Sequence, residues 1–141
     1  MSSAVIDASV VIKWFVPEIY EAEARRLLNP SNEFSAPDLL FAELVNVIWM
    51  KVRRGNVSEE TARRFAGDLH RIPVATCSCL ELAADACDLA LATGRSVYDS
   101  MYLALAIRLD TRLITADQRL FNAIRLHTLL APHIQFIADT P

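Results

Sequence analysis

Four acidic residues stand at positions where a carboxylate could take part in metal chemistry. Asp7 directly follows a short apolar run at residues 4–6, and Asp117 follows another apolar run after one intervening residue. Asp99 lies near the start of a strongly apolar segment, and Glu43 lies within a second one. Hard divalent cations such as Mg²⁺ and Mn²⁺ prefer oxygen ligands. We therefore take Asp7, Glu43, Asp99 and Asp117 as candidate metal ligands and catalytic residues.

Glu43 is the most informative of the four. Apart from Asn46, its neighbours from 39 to 48 are apolar, and no lysine or arginine lies within four residues of it. Burying an unpaired charge is costly, so such a carboxylate needs a cation or a proton. A bound metal ion would remove that cost, and two metal ions can stabilise a phosphodiester displacement.

Each acid also has a purely structural interpretation. Asp7 and Asp99 are suited to cap helices, and Asp117 is suited to a turn. Glu43 could pair with a distant arginine. Composition alone does not show that the four side chains converge.

The apolar patterning predicts short strands that alternate with helices along a single domain at residues 1–141. Strands are predicted at residues 4–6, 33–36, 72–76, 112–115 and 134–137, and helices at 8–15, 18–28, 37–54, 58–70, 80–93, 98–109 and 117–125. Pro37 is placed in the first turn of its helix. This alternation favours an α/β fold with a parallel sheet covered on both faces, in which ligands bind outside the carboxyl ends of the strands. It does not fix the order of the strands.

Composition excludes several other classes of protein. The formal net charge of −3 argues against a generally basic nucleic-acid binder, so RNA binding would need a local patch or metal ions. No secretory signal or membrane-spanning run is recognisable, which makes a cytoplasmic protein without membrane contact the expectation. Three cysteines, Cys77, Cys79 and Cys87, make a disulfide framework unexpected, and the histidines show no zinc-ligand spacing with them.

Four segments, taken in order, resemble the PIN-domain nucleases and, within them, the VapC-type toxins of bacterial toxin–antitoxin pairs. They are Val-Ile-Asp-Ala-Ser at 5–9, Pro-Asp-Leu-Leu-Phe-Ala-Glu at 37–43, Tyr-Asp-Ser-Met-Tyr-Leu-Ala-Leu-Ala at 98–106, and Leu-Ile-Thr-Ala-Asp at 113–117. Each motif alone is weak, whereas the four together cover essentially the whole chain.

The resemblance implies a three-layer α/β/α PIN-like fold in which helices flank a central parallel sheet. It implies that Asp7, Glu43, Asp99 and Asp117 form the active site, with Ser9 and Thr115 as supporting hydroxyls. It also implies an endoribonuclease that cleaves RNA phosphodiester bonds with water activated by Mg²⁺ or Mn²⁺. The expected partners are the RNA substrate, a cognate VapB-type antitoxin and a second copy of the chain.

Two other functions stay open at this point. A receiver-like phosphoacceptor signalling domain also gathers acids at strand ends, but it depends on a lysine after a late strand, and the only lysines are Lys13 and Lys51. A catalytically inactive PIN-like RNA-binding module is the other alternative. Lys13, Trp14 and Arg119 follow the candidate acids closely, so they either reach the mouth of the site or serve as solvated charges and a core aromatic.

Overall fold

The structure is a computed structural model that describes residues 2–141. Five strands form one parallel sheet in the order β3-β2-β1-β4-β5. The strands are β1 (Ser2–Ile6), β2 (Asn32–Pro37), β3 (Ala75–Cys77), β4 (Leu113–Thr115) and β5 (Ile134–Phe136). The parallel sheet expected from the sequence is confirmed, and its strand order is new information.

Seven helices within residues 2–141 flank this sheet, as expected for a three-layer α/β/α domain. They are α1 (Ala8–Val11), α2 (Glu21–Arg26), α3 (Leu39–Arg53), α4 (Glu59–Gly67), α5 (Cys79–Thr93), α6 (Val97–Arg108) and α7 (Gln118–Ile124). No helix in this part of the chain has the length and apolar character needed to cross a bilayer.

The strand order creates a switch point at the centre of the sheet. After β1 the chain moves outward through β2 to β3, and it then returns to the other side of β1 for β4 and β5. Connections therefore leave the carboxyl ends of β1 and β4 in opposite directions, which opens a crevice between two adjacent strands. Asp7 follows β1 and Asp117 follows β4, so both flank this crevice.

The centre of the sheet is fully apolar. Val5 and Ile6 of β1 and Leu113 and Ile114 of β4 are at most 1% exposed. Helix α6 buries six residues, including Leu103 and Leu105, as its unbroken apolar run predicts. The end of β1 is thus held in a rigid core, which fixes the backbone from which Asp7 projects.

The structure corrects the predicted start of α3. Pro37 is the last residue of β2, paired with Cys77 of β3, and α3 begins only at Leu39. A proline is tolerated at this point because it lies at the end of the strand. Asp38 instead links the two strand ends, since its backbone N–H donates to the Cys77 carbonyl at 2.9 Å.

Lys13 and Trp14 are core residues and not contacts at the site mouth. Lys13 is 5% exposed, and its ammonium contacts the Glu18 carboxylate at 3.0 Å. Lys51 of α3 contacts the same carboxylate at 2.7 Å. Burial alone would raise the pKa of Glu18, but hydrogen bonds from both lysines outweigh it and hold the pKa below its usual value. The Trp14 indole N–H donates to the Ala24 carbonyl at 2.8 Å.

Candidate active site

Asp7 is a buried carboxylate at the carboxyl end of the central strand. Its side chain is surrounded by donors: the Ser9 hydroxyl donates to Oδ1 at 2.5 Å, the Thr115 hydroxyl donates to Oδ2 at 2.6 Å, and the Val10 backbone N–H donates to Oδ1 at 3.3 Å. Burial raises the pKa of Asp7 to about 6, although these hydrogen bonds oppose the rise. Asp7 also caps α1, which confirms its structural interpretation.

Ser9 and Thr115 form a hydroxyl frame that joins β1 to β4. While donating to Asp7, the Ser9 hydroxyl accepts the Ala116 N–H at 2.9 Å, and the Thr115 hydroxyl accepts the Asp117 N–H at 3.0 Å. Each hydroxyl therefore has its proton committed to Asp7 and a lone pair committed to the chain after β4. This arrangement fixes the orientation of the Asp7 carboxylate relative to Asp117.

Glu43 is partly buried on α3, where its carboxylate accepts a hydrogen bond from a tyrosine. The Tyr102 hydroxyl of α6 donates to Glu43 Oε1 at 2.6 Å. Burial raises the pKa of Glu43, the hydrogen bond from Tyr102 opposes the rise, and the charge of Asp99 adds to it. Burial and the neighbouring Glu43 charge also raise the pKa of Tyr102 well above its usual range, so the phenol stays a donor.

Asp99 lies in the first turn of α6 and is paired with an arginine. Arg95 Nη2 contacts Asp99 Oδ2 at 3.3 Å, and each side chain is 29% exposed. Burial raises the pKa of Asp99, Arg95 opposes that rise, and the charge of Asp117 adds to it. The helix is capped by Ser96, whose hydroxyl accepts the Asp99 N–H at 3.1 Å, so the Asp99 carboxylate is not used as the cap.

Asp117 opens α7 and caps it. Its Oδ1 accepts the backbone N–H groups of Arg119 and Leu120 at 3.0 and 3.1 Å. The second carboxylate oxygen, Oδ2, has no hydrogen bond within residues 2–141. Arg119 itself is exposed.

The four carboxylates repel one another in three neighbouring pairs. The pairs are Asp7 with Glu43, Glu43 with Asp99, and Asp99 with Asp117. The set comprises only oxygen donors, and Arg95 is the one basic side chain paired with it in the described part of the chain. This chemistry fits a hard divalent cation. However, no three acidic, histidine or cysteine side chains within residues 2–141 are close enough to hold one ion together, so shared direct ligation requires side-chain movement.

Two residues of the site were not singled out from the sequence. Tyr102 lies one helical turn after Asp99, and Arg95 lies four residues before it. Helical spacing could have suggested Tyr102 as a neighbour of Asp99, whereas Arg95 precedes both the predicted helix and α6. The pairing of Tyr102 with Glu43, 59 residues away in the chain, depends on how α3 packs against α6 and has no signal in the sequence.

The Tyr102–Glu43 contact leads to a first prediction. Tyr102→Phe removes the donor from a half-buried carboxylate, so we expect a loss of about 1–2 kcal/mol in the free energy of unfolding at pH 7. Urea unfolding followed by circular dichroism measures it. Tyr98→Phe is the matched control, because Tyr98 is on the same helix and is 62% exposed. Equal stability of the two variants would contradict the role assigned to this hydrogen bond.

Comparison with known proteins agrees with this architecture. The family described as "PIN domain" matches residues 4–126 of the chain. A curated relative from Pyrobaculum aerophilum, Ribonuclease VapC3, is 34% identical over 118 residues, which cover 82% of this chain and 90% of that protein.

Three solved structures share the fold at low sequence identity. A toxin–antitoxin complex from Klebsiella pneumoniae is 19% identical, with a TM-score of 0.59 over 95% of this chain and 97% of that one. VapBC-1 from nontypeable Haemophilus influenzae is 17% identical, with a TM-score of 0.59 over 99% and 100%. PAE2754 from Pyrobaculum aerophilum is 20% identical, with a TM-score of 0.60 over 99% and 100%. The extent of the family match and the identity to the curated relative together establish that this chain belongs to the PIN domain family.

Proposed function

We propose that this protein is a metal-dependent endoribonuclease and the toxin of a VapBC-type toxin–antitoxin pair. Membership of the family implies divalent metal use in general, and we propose Mg²⁺ or Mn²⁺ as the ion. The name of the relative Ribonuclease VapC3 supports RNA as the substrate. The observation that carries the proposal is a buried carboxylate, Asp7, held in a hydroxyl frame at the switch point of the sheet, where the charge of Glu43 acts on it.

In this proposal each acid has a distinct task. Asp7 and Asp99 hold the cation most directly, and Asp117 and Glu43 complete the site, directly or through water. When bound, a divalent ion supplies positive charge that acidifies water and stabilises negative charge on a phosphodiester. Ser9 and Thr115 keep Asp7 oriented, since both hydroxyl protons are committed to its oxygens.

The tyrosine at the site contributes a hydrogen bond and not proton transfer. Because the pKa of Tyr102 lies far above neutrality, its hydroxyl keeps its proton and holds Glu43 in one orientation. No histidine or lysine side chain within residues 2–141 makes a hydrogen bond or ion pair with any of the four acids, so the chain offers no separate basic residue as proton acceptor.

An antitoxin and a second copy of the chain complete the proposal. Two of the proteins that share this fold are a toxin–antitoxin complex and a VapBC pair, which supports a VapB-type partner. Helix α3 also leaves Val45, Trp49 and Met50 between 37% and 51% exposed, so these apolar side chains are available to a partner. A cytoplasmic location and a homodimer remain parts of the proposal.

The experiment is cleavage of total RNA by the purified protein with Mg²⁺ or Mn²⁺, with EDTA, and with metal restored after EDTA. We expect cleavage with metal, none in EDTA and recovery on restoration, with products that carry a 5′ phosphate and a 3′ hydroxyl. Asp99→Asn should be inactive, whereas Asp85→Asn, an exposed acid on α5, should be active. Cleavage that persists in EDTA would refute the metal dependence, and RNA binding without cleavage would favour the inactive binding module.

A further inference from the structure

Arg95 is the charged residue of the site for which the proposed function has no task. Its contact with Asp99 is a single one at 3.3 Å, from one terminal nitrogen of the guanidinium. Its Nε is buried and has no hydrogen-bond partner within the described residues. A buried donor without an acceptor is unfavourable, so the contact with Asp99 does not use the full hydrogen-bonding capacity of this guanidinium.

The charge of the surroundings indicates what that acceptor is. Four carboxylates against one guanidinium give this region an excess of negative charge, in a chain whose formal net charge is −3. An RNA backbone approaching the acids would be repelled unless a cation stood at the entrance. Lys13 cannot serve, because it is buried and paired with Glu18.

The position of Arg95 meets that requirement. It lies four residues before Asp99, just ahead of α6, and its side chain is 29% exposed and so accessible from solvent. A guanidinium presents several donors in a planar fork that matches a phosphate group, whereas a single carboxylate contact uses only part of that fork.

We propose that Arg95 binds a backbone phosphate of the RNA substrate and is therefore a substrate-contacting residue of this site. The proposal rests on the proposed ribonuclease function. Before a metal ion binds, the guanidinium neutralises Asp99. A divalent ion at the acids would take over that neutralisation and leave the exposed part of the guanidinium free to donate to the phosphate.

The test compares Arg95→Gln, Arg95→Lys and Arg63→Gln with the natural protein. Arg63 is an exposed arginine of α4 that, like Arg95, pairs with an acid four residues away. The probe is a fluorescein-labelled single-stranded RNA of mixed sequence, measured by fluorescence anisotropy in Ca²⁺, with a gel to show that it stays intact. Mn²⁺ binding to each protein is measured separately by electron paramagnetic resonance.

We expect Arg95→Gln to weaken RNA binding by roughly ten- to a hundredfold. It should also reduce the slope of log affinity against log salt by about 0.7, as the loss of one phosphate contact to single-stranded nucleic acid requires. A purely structural role would not change that slope. Arg95→Lys should recover part of the affinity and the slope, and Arg63→Gln should match the natural protein. Mn²⁺ affinity in Arg95→Gln should be unchanged or higher, since a competing cation has been removed.

Unchanged RNA affinity and salt slope in Arg95→Gln would overturn the role of Arg95 while leaving the nuclease proposal intact. A loss of Mn²⁺ binding in that variant would also overturn it, because Arg95 would then act on the metal site. If the natural protein neither binds nor cleaves RNA with any divalent metal, the proposed function fails and this inference fails with it.

Discussion

Replacing Asp7 by asparagine is expected to abolish RNA cleavage and to stabilise the metal-free fold. Asparagine lacks the charge that a divalent cation needs, so activity should fall by roughly three orders of magnitude or more. Stability should rise because the native protein keeps a carboxylate in a desolvated position, where burial raises its pKa to about 6. The asparagine oxygen can still accept from one of the Ser9 and Thr115 hydroxyls, and the amide nitrogen can donate to the other.

The pH dependence of that stabilisation follows from the direction of the shift. The pKa of Asp7 is higher in the folded state than the ordinary value of 3.8, so the folded state retains a proton that the unfolded state has lost. The contribution of Asp7 to the stability of the natural protein therefore becomes less favourable as pH rises from about 4 to about 6. The advantage of Asp7→Asn should be near zero at pH 4 and reach about 1–3 kcal/mol above pH 7.

Urea unfolding in EDTA at pH 4, 6 and 8 measures this difference, alongside the RNA cleavage assay. Asp85→Asn again serves as the exposed control and should show neither effect. A less stable Asp7→Asn protein at pH 8 would mean that the buried carboxylate is not a destabilising element of the fold.

Thr115→Val is expected to reduce cleavage while preserving the shape of the side chain. Thr115 is fully buried, and its hydroxyl both donates to Asp7 and accepts from the Asp117 backbone. Valine leaves one carboxylate oxygen of Asp7 without its 2.6 Å donor, so the orientation of the carboxylate is less well defined. Loss of such a supporting contact typically costs ten- to a hundredfold in metal affinity or activity, and we expect about that loss here.

A matched control for this substitution lies in the same chain. Thr140 is also buried, and its hydroxyl bonds to the Ile137 carbonyl, among the last residues of the chain. Thr140→Val should lower stability, as Thr115→Val does, by about 1–2 kcal/mol, but should leave the Mn²⁺ concentration for half-maximal cleavage unchanged. If Thr115→Val behaves in the same way as Thr140→Val, the hydroxyl frame has no part in the reaction.

The parts of the fold that depend on local sequence patterns were predictable. Short apolar runs gave the positions of β1 and β4, and the long apolar run gave the buried helix α6. The predicted start of α3 was wrong because a proline, which has no backbone N–H to donate, is accepted both at a strand end and in a first helical turn. Pairing with β3 decides that Pro37 ends a strand, and that pairing joins residues far apart in the sequence.

For the candidate acids, too, local features were predictable from the sequence and long-range contacts were not. Their positions after strands or on apolar helices could be read from the chain, and so could the isolation of Glu43 from basic residues. The donor that Glu43 has, Tyr102, is brought to it by helix packing. Lys13 was misjudged because its contact with Glu18, a carboxylate that Lys51 of α3 also contacts, depends on packing that no spacing rule predicts.

The measurement that tests the central claim most directly is Mn²⁺ binding to the purified protein without RNA, followed by electron paramagnetic resonance. The account predicts that the natural protein and Asp85→Asn bind Mn²⁺ with similar affinity, and that Asp7→Asn and Asp99→Asn each bind it at least about tenfold more weakly. Equal Mn²⁺ binding by all four proteins would show that these carboxylates do not hold the metal ion, and the proposed active site would be wrong.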